Sequence, residues 1–452
     1  MVDAALFSPP LPVELEAYDA VILGAGISGL VSASVLLKQS PGIKLLVIDE
    51  YDHLGGNHID WSANGYTFDV GSLIFQDDSP LLAHFPELLD LYVPIKPTWG
   101  RLNPQGMITA YPISVRDDLL RAGPIGLLRI LTSLVNARLR QREMKNAKDF
   151  AAYWLGEYLL QRSGLLSYMK RFYGVPAEDI DLDLARKRML WISEHASLRN
   201  QVRRLFRRRV KPRRRNRQMA RPRAGFATLY EVAARQLEQR GATFALSTQI
   251  YSLYKTSTGF CATLRDKAIM APRVISTIPI PKLEEICAMS NAQQLGTITL
   301  ISLYFSFSGK RGFDDSIIYN FSHDGAWKRL TVYSDFYGTA NGREYFAVEV
   351  IANHVADSVT LAEADFREHV RVNGLFSGDL VLEGSHVLDN AYPIYSKGAA
   401  DAAFSRVARL AEFGVESHGR QGAFNYQPTA RVSTLDAETS VLAHRQTTSG
   451  KE

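Results

Sequence analysis

The run Gly24-Ala25-Gly26-Ile27-Ser28-Gly29 constrains this chain more than any other stretch of it. It follows four apolar residues, 20–23, suited to a buried parallel strand, and precedes residues 30–38, which read as a helix with small residues on its early turns. A second apolar run, residues 45–48, completes a βαβ unit. Each glycine has a separate expected task. Gly24 permits the tight turn, Gly26 lets the backbone approach a pyrophosphate, and Gly29 lets the helix pack closely on the strand. The free N–H groups of the helix start, at Ile27 and Ser28, then face the phosphates. An acid is expected about 20 residues on, to bind a ribose hydroxyl. Asp49 stands 20 residues after Gly29, with Glu50 as the neighbouring alternative.

A second glycine pair follows in Gly55-Gly56-Asn57, which again lets backbone lie close to phosphates or to a planar ring. With this pair the chain resembles the superfamily of FAD-dependent amine oxidases, protoporphyrinogen oxidases and UDP-galactopyranose mutases. Residues 65–71 (Gly-Tyr-Thr-Phe-Asp-Val-Gly) are similar to the next segment of those families, and Arg223-Ala224-Gly225-Phe226 to their return to the cofactor domain. Thr248-Gln249-Ile250 resembles the strand whose backbone contacts adenine, and residues 274–279, with Thr277, the flavin-side strand and turn. The segment Gly419-Arg420-Gln421-Gly422-Ala423-Phe424 resembles the one that closes over the flavin. Trp327-Lys328-Arg329 is similar to a mutase segment that carries an arginine beside substrate and flavin, and Tyr392-Pro393-Ile394 to a Tyr-Pro segment ahead of the Gly-Arg motif.

The resemblance implies an α/β fold, a Rossmann-like FAD-binding domain with an inserted α+β substrate domain. Residues 18–95, 220–298 and 385–446 would bind FAD, and residues 96–219 and 299–384 would form the helical and sheet-containing substrate domain. It implies non-covalent FAD held by Gly24, Gly26, Ile27, Ser28, Gly29, Asp49, Glu50, Gly55, Gly56, Asn57, Ile250, Thr277, Gly419, Arg420 and Phe424, with NAD(P) alone as the alternative cofactor. It further implies hydride transfer from a small-molecule substrate to the flavin; a redox-neutral mutase-like reaction and a non-catalytic flavoprotein are the alternatives. Arg329 is the candidate active-site cation, and His58 and His418 are candidate acid–base groups. Two departures from the mutase stand out. A histidine of the mutase is replaced by Leu73, and its Tyr-Tyr-Asp cluster by Tyr426-Gln427-Pro428. Both point to a different substrate.

Composition adds one sharp feature. The net charge of the chain is +5, yet twelve arginines and one lysine, with no acid, fall between Arg199 and Arg223, so the rest carries −8. Such a run suits a solvated loop, or contact with anionic lipid or a phosphorylated substrate; nucleic acid is disfavoured because no nucleic-acid-binding motif accompanies it. Residues 119–138 read as an amphipathic helix whose leucines are buried in the helical domain, with membrane contact as the second reading. The two cysteines, Cys261 and Cys287, form no CxxC or Cys/His cluster, so no metal site is indicated and a reducing compartment fits. With no apolar run of membrane-spanning length, and a nucleotide-binding strand beginning near residue 19, the expected placement is cytoplasmic, or peripheral at a membrane. The polar tail from Thr447 is expected to fray.

Overall fold

The computed structural model describes residues 14–71, 74–140, 143–188, 216–289, 295–353 and 356–449. Leu73 and residues 199–215 of the arginine-rich run lie outside the described residues.

Five parallel strands form the sheet beneath the glycine turn, in the order Ala242–Ala245, Leu45–Ile48, Ala20–Leu23, Arg273–Ser276 and Glu416–Ser417. Ala20–Leu23 and Leu45–Ile48 are buried along their whole length, as strands covered on both faces must be. The helix Ile27–Gln39 covers one face together with Ala227–Glu238 and the long helix Ala430–Ser449; Leu30, Leu229 and Val441 belong to that core. The other face packs on a four-stranded sheet that includes Gly259–Thr263 and Lys267–Ala271, and on the helix Ala399–Phe413. The last helix runs on to Ser449, past the point at which fraying was expected.

A seven-stranded sheet stands beside this layer, in the order Phe376–Pro393, Thr297–Arg311, Glu344–Ile351, Trp327–Val332, Ile317–Asn320, Trp99–Leu102 and Ile108–Ala110. Its longest pair joins Thr297 with Pro393 at one end and Arg311 with Phe376 at the other. These two strands run straight through the expected boundaries at residues 298/299 and 384/385. Both positions therefore lie inside one hydrogen-bonded ladder. Helices Gly123–Arg140, Ala147–Leu155, Glu157–Arg162 and Leu165–Tyr173 build a helical layer around Phe150, Leu160 and Met169. Asn146 caps one of them, accepting the Asp149 N–H at 2.9 Å.

Two further expectations are corrected. Thr248-Gln249-Ile250 is not a strand: Ser247 takes a positive φ of 50°, and the N–H groups of Ser247 and Thr248 donate to the carbonyls of Tyr51 and Asp49 rather than to a ladder. The helix Gly123–Arg140 is not buried on its leucine side. Ile130 enters the helical core, but Ile125, Leu128, Leu131, Val135 and Leu139 face solvent.

Candidate active site: a groove leading to a cationic cavity

The glycine turn is locked before any ligand is considered. The Gly24 N–H donates to the Ile48 carbonyl at 2.7 Å, and the Gly55 N–H to the Ala25 carbonyl at 3.0 Å, which docks the second glycine turn on the first. The three motif glycines then differ in what holds them. Gly24 has φ +104°, so the turn itself demands glycine. A Cβ on Gly29 would lie 1.9 Å from the Gly24 carbonyl oxygen, so helix-on-strand packing demands it. A Cβ on Gly26 would meet nothing closer than 3.9 Å, at an ordinary φ of −74°. The protein's own atoms therefore leave Gly26 free to be alanine, and the demand for glycine there falls to whatever occupies the groove above it. Among the described residues no side chain caps the helix at Gly26, which leaves its first N–H groups to a ligand.

That groove has a volume of about 430 Å3. Asp49 borders it almost fully buried. Its carboxylate accepts the Ala25 N–H at 2.6 Å and the Tyr51 N–H at 3.0 Å, and burial raises its pKa. Each oxygen keeps a second lone pair for a hydroxyl donor. Glu50, Thr277 and Phe424 also line the groove; the Thr277 hydroxyl donates to the Leu23 carbonyl at 3.0 Å. Ile250 does not line it but is buried in the core below the sheet, and Gly419 packs against Ser28, where a Cβ would meet the hydroxyl at 2.9 Å.

Ile27, Asn57, His58, Arg420 and Ala430 border both this groove and an inner cavity of about 240 Å3, so the two are continuous. Arg420 stands at the junction. It donates to the Gln427 carbonyl at 2.6 Å and lies 5.5 Å from the Tyr392 ring centre, and among the described residues no carboxylate lies within ion-pair distance. Burial, with a smaller contribution from the Arg420 charge, pushes the His58 pKa down to about 4. The imidazole is thus neutral near pH 7, 2.7 Å from the Tyr230 hydroxyl, which does not equip it to donate a proton as a cation. His418 is used structurally, buried with Nε2 2.9 Å from the Ser32 hydroxyl.

The cavity wall brings in groups that the sequence did not single out, above all Lys328 and the tyrosines 319 and 395. Consecutive residues of a regular strand point to opposite faces. Between Trp327 and Arg329, however, the ladder to Glu344–Ile351 shifts by one residue. This bulge re-aims the side chains. Lys328 and Arg329 both line the cavity and both pair with the carboxylate of Glu349, Lys328 Nζ at 2.9 Å. Burial alone would raise the Glu349 pKa, but the two cations hold it below the usual carboxylate range. Arg329 also donates to the Gly71 carbonyl at 2.6 Å, while its buried Nε has no hydrogen-bond partner among the described residues. The only sequence signal for Lys328 was its place next to Arg329. Tyr392 and Tyr426 line the same cavity, and Lys328 Nζ lies 5.0 Å from the centre of the Tyr392 ring.

Known proteins resemble this architecture at two scales. Residues 22–87 match the family model of an NAD(P)-binding Rossmann-like domain. Over similar short segments the chain is 43% identical across 61 residues to prolycopene isomerase 2 of an Oncidium hybrid cultivar, and 42% across 55 residues to UDP-galactopyranose mutase of Mycoplasma genitalium. These matches cover 14% and 12% of this chain and only 10% and 13% of those proteins. Solved structures resemble nearly the whole chain. A reduced UDP-galactopyranose mutase superposes over 95% of this chain and 96% of its own with a TM-score of 0.75 at 16% identity. Putrescine oxidase bound to putrescine does so over 96% and 100% with 0.57 at 13% identity. A CLA-producing fatty acid isomerase from P. acnes does so over 94% and 98% with 0.61 at 11% identity. The chain thus carries a Rossmann-like domain at residues 22–87 within an overall fold shared with the solved UDP-galactopyranose mutase and putrescine oxidase structures.

Proposed function

We propose that the chain is an FAD-dependent redox enzyme acting on a small molecule in the inner cavity. The observation that carries this reading is the continuity of the glycine-lined groove with the cationic, tyrosine-walled cavity. A dinucleotide laid along the groove would place its ring system at the mouth of the cavity, where substrates of such folds commonly sit. The residues fit FAD on two counts: among the described residues no atom demands glycine at position 26, and Arg420 brings a guanidinium with no carboxylate beside it. Gly24, Gly26 and the helix start would hold the pyrophosphate, Asp49 or Glu50 a ribose, and Arg420 would offset the negative charge.

When bound, FAD supplies a centre that accepts or returns a hydride. The chain's own part is to bind, orient and exclude water. Arg329 is fixed by Glu349 and Gly71 but keeps a free N–H, and Lys328 stands beside it, so the cavity suits a substrate with an acceptor group or negative charge. Among the described residues that line the cavity no group emerges as a general base, and hydride abstraction by a flavin does not require one beyond the cofactor. A redox-neutral isomerisation is the second reading; it is favoured by the fold likeness to a mutase and a fatty acid isomerase.

The purified protein, as isolated and after incubation with FAD, should show the visible absorption bands of an oxidised flavin. Anaerobic bleaching should then be sought with amines, porphyrinogens and nucleotide sugars. Bleaching by one class, with oxygen uptake on re-aeration, supports the oxidoreductase. Product formed without oxygen uptake, after reduction of the protein, supports the isomerase. A colourless protein that takes up no FAD overturns both.

A further inference from the structure

The helix Gly123–Arg140 has two apolar faces, and among the described residues only one is packed against protein. Ile130 is buried in the helical layer, in a cluster that reaches Tyr395 and Tyr426 on the cavity wall. On the opposite side Ile125, Leu128, Leu131, Val135 and Leu139 are each more than half exposed, from 52% at Leu131 to 71% at Ile125. The spacing 128, 131, 135, 139 is that of a single stripe on a helix of 3.6 residues per turn. Leu120 and Leu127 extend the patch. A soluble surface rarely leaves such a contiguous row of large aliphatic side chains uncovered.

The charges along the helix itself are of one sign; just ahead of it Asp117 pairs with Arg121 at 3.2 Å. From Leu119 to Arg142 there are five arginines and no acid. Arg129 and Arg138 fall on opposite sides of the stripe by helical geometry, and among the described residues neither has a carboxylate within ion-pair distance. An apolar stripe edged by unpaired cations complements one surface in particular, a bilayer with anionic headgroups, into which the leucines insert while the guanidiniums stay at headgroup level. A second copy of the chain would bring the same arginines against these, and the chain's own basic run between Arg199 and Arg215 carries the same charge. Both are poorer partners on electrostatic grounds. Among the described residues no helix is long and apolar enough to cross a membrane, so contact would be with one leaflet.

We propose that the face of Gly123–Arg140 formed by Ile125, Leu128, Leu131, Val135 and Leu139 is a membrane-docking surface for anionic lipid, with Arg129 and Arg138 as its electrostatic rim. Docking here brings a bilayer to the helical layer whose inner side meets the cavity wall. Two signals, apolar insertion and headgroup attraction, act together, as stable peripheral binding requires.

The full-length protein is mixed with vesicles of phosphatidylcholine alone or with one third phosphatidylglycerol, and sedimentation is measured. Two variants accompany it, Leu128→Ser/Leu131→Ser/Val135→Ser and Arg129→Gln/Arg138→Gln. These side chains are exposed or at the rim, so both should fold, which an unchanged thermal melt verifies. The wild type should bind the anionic vesicles at least tenfold more tightly than the neutral ones. The leucine variant should lose binding tenfold or more, and the arginine variant should lose most of the preference for anionic lipid. The proposal is overturned if the wild type stays in the supernatant, or if the folded leucine variant binds as well as wild type, which would assign binding elsewhere, for instance to the arginine-rich run. It is also overturned if the wild type is a dimer that the leucine variant converts to monomer, since a second copy would then cover the stripe.

Discussion

Asp69 and Arg221, 152 positions apart, form an ion pair in which neither side chain is more than 1% exposed. Arg221 also donates to the Thr67 and Pro222 carbonyls, both at 2.7 Å, and its guanidinium lies 4.9 Å from the Tyr337 ring centre. The pair ties the segment leading to Gly71 to the strand end that precedes Gly225, and so fixes both approaches to the site. Removing one partner leaves the other buried and charged. Asp69→Leu should cost about 3–5 kcal/mol by urea denaturation. The double variant Asp69→Leu/Arg221→Met should recover much of that loss, because no orphan charge remains. Equal destabilisation in the single and double variants would show that the pair is not what holds the two segments.

Gly26 and Gly29 separate ligand binding from folding. Gly29→Ala places a Cβ 1.9 Å from a backbone oxygen, a clash that only a shift of helix against strand can relieve. It should destabilise the protein without cofactor by about 1–3 kcal/mol. Gly26→Ala meets no such contact and should leave that stability within about 0.5 kcal/mol, while weakening FAD binding tenfold or more. Flavin titration beside thermal melts distinguishes the two; normal FAD affinity in Gly26→Ala would remove the argument for a pyrophosphate there.

The parallel sheet was legible because its determinants are local. A buried apolar run, glycines at fixed offsets and an acid at the next strand end are each visible within 30 residues of sequence. The cavity was less legible because its determinants are not. Lys328 enters it through a one-residue ladder shift set by pairing with Glu344–Ile351, and nothing in the string Trp327-Lys328-Arg329 announces a bulge. The burial of Glu349, which makes its two cations matter, depends on the two strands paired with its own, Thr297–Arg311 and Trp327–Val332. Periodicity failed at Gly123–Arg140 for a related reason: an apolar stripe shows that a face wants cover, not that the protein supplies it.

Glu349 should act as the keystone of the cationic wall. Lys328 and Arg329 are buried or nearly so, and their charges are offset by this one carboxylate. Glu349→Gln keeps the shape but leaves two cations uncompensated, and should cost about 3 kcal/mol or more. Lys328→Met in the same background should restore part of this by removing one of them. If Glu349→Gln melts with wild type, the cations are solvated and the cavity is wetter than its burial implies.

His58 gives the site a pH dependence of defined sign. Free histidine titrates near 6.5, whereas burial holds His58 to about 4. Between these values the unfolded chain binds a proton that the folded chain refuses, so stability falls as pH drops through this window and is complete above it. At about 1.4 kcal/mol per pKa unit, the ceiling of the effect is about 3.5 kcal/mol. Other buried histidines, including His84, His369 and His418, are shifted the same way and steepen the overall loss. The difference between wild type and His58→Gln isolates the one residue. Wild type should lose more stability than the variant on going from about pH 7 to about pH 4.5, as measured by urea denaturation. Equal losses would mean that His58 takes up its proton in the folded protein, which would reopen it as a proton donor beside the cofactor groove.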